Sequence, residues 1–256
     1  LIPANSAIPV YSLRKITQTL HDSISRVTTG LKVLGGNDAG SQSVANSHIA
    51  NAKSFQAAEN NSQQGLDLLE LAESALIELN ALTNRLKEIG VADTLSTNTT
   101  NDTAALNAEA SAVSDSIDSI VSSLTYNSIN ILGTSAKNFA VGIDNSGNTH
   151  TIKTTIGIAA TDITDATNTN NSADTTIGEI TQSLGHISGG MTALRAYQNV
   201  ASSSKAHLLQ AASNLQDTDF ALETAKIARQ SLLKNYALAM VAHANSDEID
   251  KLRLLA

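Results

Sequence analysis

Six histidines and one pair of aspartates are the side chains of this sequence that could support metal or acid–base chemistry. The histidines are His21, His48, His150, His186, His207 and His243. A zinc site needs two histidines one helical turn apart or a tight cluster, and no two of these six are four residues apart. Ordinary surface histidines are therefore the favoured interpretation, and the sequence predicts no metal and no other cofactor.

Asp217 and Asp219 have the spacing of paired carboxylates, but their neighbours favour a structural role. Both precede an apolar helical pattern, where a carboxylate caps free backbone N–H groups, and Glu223 can complement the same helix start. Gly189-Gly190 lacks the rest of a phosphate-binding fingerprint and is interpreted as a close-packing or bending point. Because no Gly-x-Ser-x-Gly, Walker or Rossmann pattern occurs either, we predict that the chain is not an enzyme.

The composition favours long helices over a compact enzyme core. Aromatic residues make up only 3% of the 256 residues, there is no Trp, and both prolines lie within the first nine positions. The net charge of −8 without a basic patch argues against nucleic acid as a partner. The sequence contains no run of about 18 apolar residues, so it predicts no membrane span. The first ten residues lack the pattern of a cleavable signal peptide, so we expect export by another route.

Apolar residues recur every three or four positions near both ends, which predicts helices with one apolar stripe. The first stripe is followed by glycines, and we expect a joint between two elements over 34–40, because glycine weakens helix. A second helix is predicted over 42–89, roughly 70 Å long at 1.5 Å per residue. A helix of that length needs a partner along it. A polar loop at 93–103 and a third helix, antiparallel to the second, complete this half.

The centre of the chain has a different pattern. Phe139, Val141 and Ile143 alternate with polar or small residues, a turn signal follows at 144–148, and further isoleucines then share one parity, which predicts a β-hairpin. The Thr/Asn-rich stretch 161–176 is predicted to be an exposed loop. Helix is expected again from about Ile177, with an interruption at 217–219. The predicted fold class is mainly α: a long antiparallel helical coiled-coil bundle formed by the N- and C-terminal segments, with a small β-hairpin insert.

We predict three regions from this pattern. They are a discontinuous inner-core domain of 1–36 with 217–256, an outer helical bundle domain of 37–132 with 177–216, and a short β-hairpin and loop insert at 133–176. Two terminal helices alone leave too much apolar surface uncovered, and such surface marks an interaction site. A head-to-tail contact that does not close produces a helical filament. The predicted polymerisation interface comprises Leu13, Ile16, Leu20, Ile24, Val27, Leu31, Phe220, Ile227, Leu232, Tyr236, Met240, Leu252 and Leu255.

Several ordered motifs resemble those of the bacterial flagellins. Residues 25–32, Ser-Arg-Val-Thr-Thr-Gly-Leu-Lys, are similar to a segment that usually contains Leu-Ser-Ser-Gly-Leu-Arg, and 37–40 resemble the acidic, Ala/Gly-rich segment after it. Residues 73–78, Glu-Ser-Ala-Leu-Ile-Glu, match the family's Glu-Gly-Ala-Leu-Asn-Glu. Residues 215–223, Leu-Gln-Asp-Thr-Asp-Phe-Ala-Leu-Glu, resemble Ile-Glu-Asp-Ser-Asp-Tyr-Ala-Thr-Glu. The resemblance covers roughly 1–132 and 180–256.

The resemblance implies a structural subunit that polymerises with itself into the extracellular flagellar filament for swimming motility. It also implies contacts with the flagellar export apparatus, an export chaperone, the filament cap and hook–filament junction proteins. The alternatives are that the chain is itself a hook–filament junction protein, or a secreted coiled-coil adhesin. Flagellins are also detected by a vertebrate innate immune receptor, and residues 85–91 resemble the recognised segment, although Ile89 stands where the family usually has Leu. The contacts implied by the resemblance are Arg85, Glu88, Ile89 and Glu109.

Overall fold

The computed structural model describes residues 4–32, 39–158, 166 and 169–254. Within them the chain is mainly helical, with two small antiparallel strand pairs between the third and fourth helices, so the predicted fold class is confirmed. The elements are α1 Ala4–Thr29, α2 Ala39–Asp93, α3 Thr100–Ser123, β1 Thr125–Tyr126, β2 Ile129–Asn130, β3 Lys137–Gly142, β4 Thr149–Thr155, α4 Thr169–Gln216 and α5 Phe220–Leu254.

The first three helices follow the predicted order with small shifts in their bounds. Most of the predicted joint lies outside the described residues, and its last two residues, Ala39 and Gly40, already belong to α2. The predicted loop is shorter than expected, because α3 begins at Thr100. Thr99 caps that helix: its side chain accepts from the Asp102 N–H, while the Asp102 carboxylate accepts from the Thr99 N–H at 2.9 Å. This reciprocal capping box explains the early helix start.

The prediction of an exposed loop over 161–176 is wrong for 169–176, which form the first two turns of α4. Residues 161–165, 167 and 168 lie outside the described part of the chain. The inward side of these turns is made of Thr169, Ala173 and Thr176, all buried. Because these side chains are small and mostly polar, they form no apolar stripe in the sequence, and the pattern did not predict this closely packed part of the helix.

The predicted β-hairpin is present as β3 and β4, paired antiparallel from Gly142 opposite Thr149 to Lys137 opposite Thr155, with an irregularity next to Lys137. Asp144 closes its turn by accepting from the N–H groups of Ser146 and Asn148. The smaller pair β1–β2 was not predicted. Its two-residue turn, Asn127-Ser128, has positive φ at both positions, which is the geometry that suits a tight hairpin turn.

The chain divides into two compact units, which we call the terminal unit (1–50 with 207–256) and the central unit (51–206). In the central unit the α2 stripe from Leu66 to Ile89 is buried against α3, α4 and the hairpin. Lys205 pairs with Glu59 at 2.5 Å and Lys87 with Asp174 at 2.5 Å, so α2 and α4 run antiparallel here. The predicted division into inner-core domain, outer domain and insert stays a prediction.

The hairpin lies on two glycines of the α2–α4 pair. A Cβ at Gly65 would come within 2.8 Å of Leu194 Cδ1 and 3.1 Å of Val141 Cγ2, and one at Gly190 within 3.1 Å of Leu69 Cδ1. Gly190 is therefore a close-packing point, as the sequence suggested, while α4 continues as helix through it. The central unit thus buries the apolar stripe of α2 by tight packing.

Candidate assembly surface

The described ends of α1 and α5 in the terminal unit are set by residues suited to helix ends. Gly30 follows α1 with φ +74° and donates its N–H to the Arg26 carbonyl at 2.8 Å, a left-handed C-terminal cap that favours glycine. Asp219 precedes α5 and accepts from the Leu222 N–H at 3.0 Å, so it is the N-cap. The other candidate cap, Asp217, lies two residues earlier and accepts from the Ser213 hydroxyl.

A short backbone clip joins the segments that follow α1 and precede α5. The Lys32 N–H donates to the Gln216 carbonyl at 2.6 Å, and the Thr218 N–H donates to the Gly30 carbonyl at 3.0 Å. These two bonds flank an antiparallel bridge between Leu31 and Asp217. The clip brings the C-terminal end of α1 beside the N-terminal end of α5, and the two helices run antiparallel from it.

A polar cluster, the Glu223 cluster, lies just beyond the clip and consists of Ser23, Arg26, Glu223 and Lys226. Glu223 Oε1 accepts from Lys226 Nζ at 2.8 Å and from Arg26 Nη1 at 3.5 Å, and the glutamate is only 3% exposed. The hydrogen bond from Lys226 lowers the pKa of the Glu223 carboxyl, helped by Ser23 and by the charge of Arg26, and these effects outweigh the opposing desolvation. The carboxyl is therefore ionised at neutral pH.

The apolar side chains of α1 and α5 remain partly or largely uncovered. Among the residues of these helices whose side chains the structure describes, 10–29, 220–246 and 249, none that is apolar is buried, whereas Ser23 and Glu223 are. Of the predicted interface residues, the half-buried ones are Leu13, Ile16, Leu20, Val27 and Ile227. The exposed ones are Ile24, Leu31, Phe220, Leu232, Tyr236 and Met240. Leu252 lies in α5, with its side chain outside the description, and Leu255 lies beyond the described residues.

The predicted interface omits further exposed apolar residues of α1 and α5. Ile249 has the helical spacing of the predicted stripe, whereas the others are not part of it: Tyr11, Leu222, Leu233 and Leu238. The signal that could have found them is the spread of apolar residues around α5, where Leu232 and Leu233 are adjacent and so point about 100° apart. A helix that is apolar on more than one side needs cover from more than one direction.

Other sites considered from the sequence do not form chemical centres. Within the described residues, no three metal-ligating side chains come together in a group that could hold an ion. His150 stacks at a tilt on Tyr197, with ring centroids 5.2 Å apart. None of the helices in the described part of the chain has the length of apolar sequence that a bilayer crossing requires.

The residues suggested for receptor recognition divide into two groups. Arg85 bridges α2 and α3 on the surface of the central unit: it donates to Glu109 Oε1 from Nη2 at 2.6 Å and to Glu88 Oε2 from Nη1 at 2.8 Å. Ile89, by contrast, is 1% exposed and belongs to the core. A partner at the surface of the central unit therefore meets Arg85, Glu88 and Glu109, but not Ile89.

Comparison of the sequence with known proteins identifies its family. Residues 4–137, more than half of the chain, match the family described as the bacterial flagellin N-terminal helical region. The chain belongs to the bacterial flagellin family. It is 29% identical over 250 residues to the flagellin of Halalkalibacterium halodurans, an alignment that covers 91% of this chain and 90% of that protein.

Longer flagellins match over a smaller share of their length. The flagellin of Escherichia coli K12 is 30% identical over 144 residues, which is 56% of this chain and 28% of the E. coli protein.

The crystal structure of Bacillus cereus flagellin aligns with a TM-score of 0.42 at 22% identity, over 61% of this chain and 93% of that one. The predicted family is confirmed by the match of residues 4–137 to the family and by the similarity to the H. halodurans flagellin.

Proposed function

We propose that α1 and α5 of the terminal unit form the polymerisation surface of this flagellin. As a member of the flagellin family, the chain is a structural subunit of the bacterial flagellar filament, which lies outside the cell. The proposal concerns where on the chain the contacts between copies are made, and it assigns them to the helices nearest the two ends.

One observation carries the proposal: the central unit buries its apolar stripe, and the terminal unit does not. Leu69, Leu76 and Leu79 of α2 are fully buried within the central unit, whereas Leu232 and Tyr236 of α5 are 61% and 70% exposed. Contiguous apolar surface of this kind marks an interaction site on a protein. Because the same surface occurs on every copy, a second copy of the chain is the occupant that a filament supplies.

The proposed surface keeps all thirteen residues predicted from the sequence and adds those found exposed in the structure. The half-buried members, such as Ile16 and Ile227, support the contact between α1 and α5. The exposed members, such as Phe220 and Met240, contact neighbouring copies. Leu252 and Leu255 continue the same pattern toward the C-terminal end. The inner-core domain, outer bundle domain and insert proposed from the sequence have the corresponding roles of assembly, support and surface decoration.

Assembly and folding are coupled in this proposal. The terminal helices gain most of their apolar burial from other copies, so they become fully stable only in the filament. The chain reaches the filament tip through the flagellar export apparatus, with an export chaperone covering the uncovered helices before export. It then joins the filament next to the hook–filament junction proteins or beneath the cap. No catalytic step is involved, and neither a junction protein nor an adhesin is favoured by any feature of the site.

Electron microscopy of the purified chain under polymerising conditions tests the function, and two variants test the surface. Wild-type protein is expected to form long filaments. Tyr236→Ser and Met240→Ser reduce the polymer recovered by sedimentation, while Val200→Ser, at an equally exposed position of the central unit, leaves it unchanged. Normal filaments from both α5 variants would refute the assignment of the surface, and absence of filaments from the wild type would refute the function itself.

We also propose that Arg85, Glu88 and Glu109 contact an innate immune flagellin receptor. The support is their exposure on neighbouring helices and their resemblance to the recognised segment. Monomer carrying Glu88→Ala is expected to lose activation of receptor-bearing cells without losing stability. Ile89→Ala serves as the contrasting variant, because it removes core packing and is expected to cost about 2–4 kcal/mol of unfolding free energy. Full activation by the Glu88→Ala monomer would contradict the proposed contact.

A further inference from the structure

The contact between α1 and α5 has an unusual interior. Over the described side chains of these two helices, the buried positions are Ser23 and Glu223, and every apolar side chain is at least partly exposed. Helix pairs are ordinarily centred on apolar residues. Here a carboxylate from α5 faces a hydroxyl and a guanidinium from α1, and the apolar residues lie around them.

Burying Glu223 is a poor way to gain stability. Its Oε2 atom is buried and has no hydrogen-bond partner within the described residues, and Arg26 Nη1 is 3.5 Å from Oε1, a long contact for an ion pair. Lys226 at 2.8 Å, Ser23 and Arg26 favour the ionised over the protonated carboxyl, but compared with an apolar side chain of similar size the buried charge still has a desolvation cost. We expect an apolar residue at position 223 to stabilise the helix pair more. The carboxylate therefore has another role, which is to favour one pairing of the two helices over others.

The specificity in question is the register of α5 along α1. The apolar residues of both helices recur every three or four positions, so a slip of one heptad would still match apolar to apolar. In one direction, such a slip replaces Ser23 and Arg26 with Ile16 and Thr19 of α1 as the residues opposite Glu223. The Thr19 hydroxyl already donates to carbonyls of its own helix. The carboxylate would then keep only Lys226 of its own helix as a partner, which disfavours the slipped pairing.

From this arrangement we infer that Glu223 is a positioning residue, which selects one register of α1 against α5 through Ser23 and Arg26. The selected register determines which apolar residues of the two helices lie side by side and face neighbouring copies. The inference deepens the proposed function and rests on it, because a defined register matters only if the helix pair is an assembly surface. A buried polar group that fixes register at the expense of stability is a known device in paired helices.

The backbone clip offers a competing explanation, since the bonds between Gly30 and Thr218 and between Lys32 and Gln216 also align the two helices. If the clip alone is sufficient, neutralising Glu223 leaves the register unchanged. If the Glu223 cluster selects the register, neutralisation admits slipped pairings. The two explanations therefore differ in one measurable quantity, the distance along the helix axes between a point on α1 and a point on α5.

The absence of cysteine makes that distance measurable by spin labelling. Thr28→Cys and Ala239→Cys place labels at exposed positions of α1 and α5, well separated along the axes. A slip of one heptad changes their axial separation by about 10 Å, at 1.5 Å per residue. Labelled chains are diluted into a large excess of unlabelled wild type, so that distances within one chain dominate in the filament. Double electron–electron resonance spectroscopy then gives the distribution of distances between the two labels.

The wild-type background is expected to show one narrow distance, and Glu223→Gln to show a second population shifted by about 10 Å together with several-fold lower incorporation into filaments. Asp22→Asn, which removes one negative charge from an exposed position of α1, is the matched control and should retain both wild-type values. The double variant Arg26→Gln/Glu223→Gln should lose no more incorporation than Glu223→Gln alone, because both changes remove one shared contact.

Three results would overturn the inference. The first is a single wild-type distance in Glu223→Gln, which would assign the register to the clip. The second is an equal effect of Asp22→Asn, which would reduce the role to net charge. The third is additive loss in the double variant, which would show that Arg26 and Glu223 act independently. Failure of the unlabelled wild type to form filaments would instead count against the proposed function, so the two are separable.

Discussion

Leu232→Ala separates the stability of the chain from its ability to assemble. Leu232 is 61% exposed on α5, so shortening it removes few contacts within one chain. We expect the free energy of unfolding of the unassembled protein to change by no more than about 0.5 kcal/mol, as for other surface substitutions. If a neighbouring copy covers this side chain, the substitution weakens the polymer.

The size of the assembly effect follows from the exposed fraction. Leucine has three more carbons than alanine, and at about 0.8 kcal/mol per buried carbon their full burial contributes about 2.4 kcal/mol. The 61% that is still exposed on the single chain corresponds to about 1.5 kcal/mol gained on complete coverage. Since 1.4 kcal/mol is a factor of ten, the critical concentration for polymerisation should rise about tenfold.

The assay is the critical concentration from sedimentation of seeded filaments, measured beside chemical denaturation of the unassembled chain. Ile77→Ala is the matched control: an aliphatic side chain of equal size, 57% exposed, on the α2 helix of the central unit. Leu79→Ala is the opposite control, because Leu79 is fully buried and its truncation should cost about 2–5 kcal/mol of unfolding free energy.

Two outcomes would refute this reasoning. If Leu232→Ala left the critical concentration unchanged, α5 would not be covered at this position in the polymer. If Ile77→Ala raised the critical concentration as much as Leu232→Ala does, the contacts between copies would not be concentrated in the terminal unit.

Three further predictions concern the central unit. Gly157→Ala should lower its unfolding free energy by about 2–3 kcal/mol, because a Cβ there meets a backbone carbonyl at 2.8 Å and φ is +105°; Gly147→Ala, with φ +84° and open space around it, should cost about 1 kcal/mol. Thr99→Ala removes the α3 cap and should cost about 1 kcal/mol, seen as faster amide exchange in the first turn of that helix. Hydrogen bonds from Thr99 lower the pKa of Asp102. The stability that the Asp102 carboxylate contributes is therefore present above its unfolded pKa and is lost as pH falls through its lower folded pKa. Asp102→Asn should remove this loss, so that amide exchange at the start of α3 no longer accelerates as the pH is lowered through that range. Unchanged stability of Gly157→Ala, unchanged exchange in Thr99→Ala, or the same acid limb in Asp102→Asn would contradict the respective prediction.

The features predicted correctly are those whose physical cause is regular along the sequence. The stripe residues of α2, such as Leu69, Leu76 and Leu86, recur at helical spacing and are buried as expected. The alternation around Val141, with a polar turn after it, predicted the observed hairpin. Such periodic patterns reflect one face meeting one core. They say where an element lies and which side is covered, and they do so without knowledge of distant parts of the chain.

The features that were missed depend on contacts between distant residues or on side chains that look polar. The sequence predicts a loop at the first turns of α4, because the buried side chains there, Thr169 and Thr176, are small and polar and form no apolar stripe. The Glu223 cluster was invisible to a rule that places apolar residues inside, since its interior is Ser23 and Glu223. At the candidate surface, the sequence predicts the two helices with one stripe of apolar residues, but not the second apolar side of α5, and the interface itself stays a prediction.

The uncovered terminal helices belong to a chain with a net charge of −8, and this combination controls when copies meet. Apolar attraction acts only at contact, whereas repulsion between like charges extends over the Debye length, roughly 30 Å at 0.01 M salt and 8 Å at 0.15 M. In dilute buffer the repulsion keeps copies apart before their apolar surfaces can touch. Added salt shortens its range and lets them approach. We therefore expect single molecules to persist at low ionic strength and polymerisation to become faster as salt is raised.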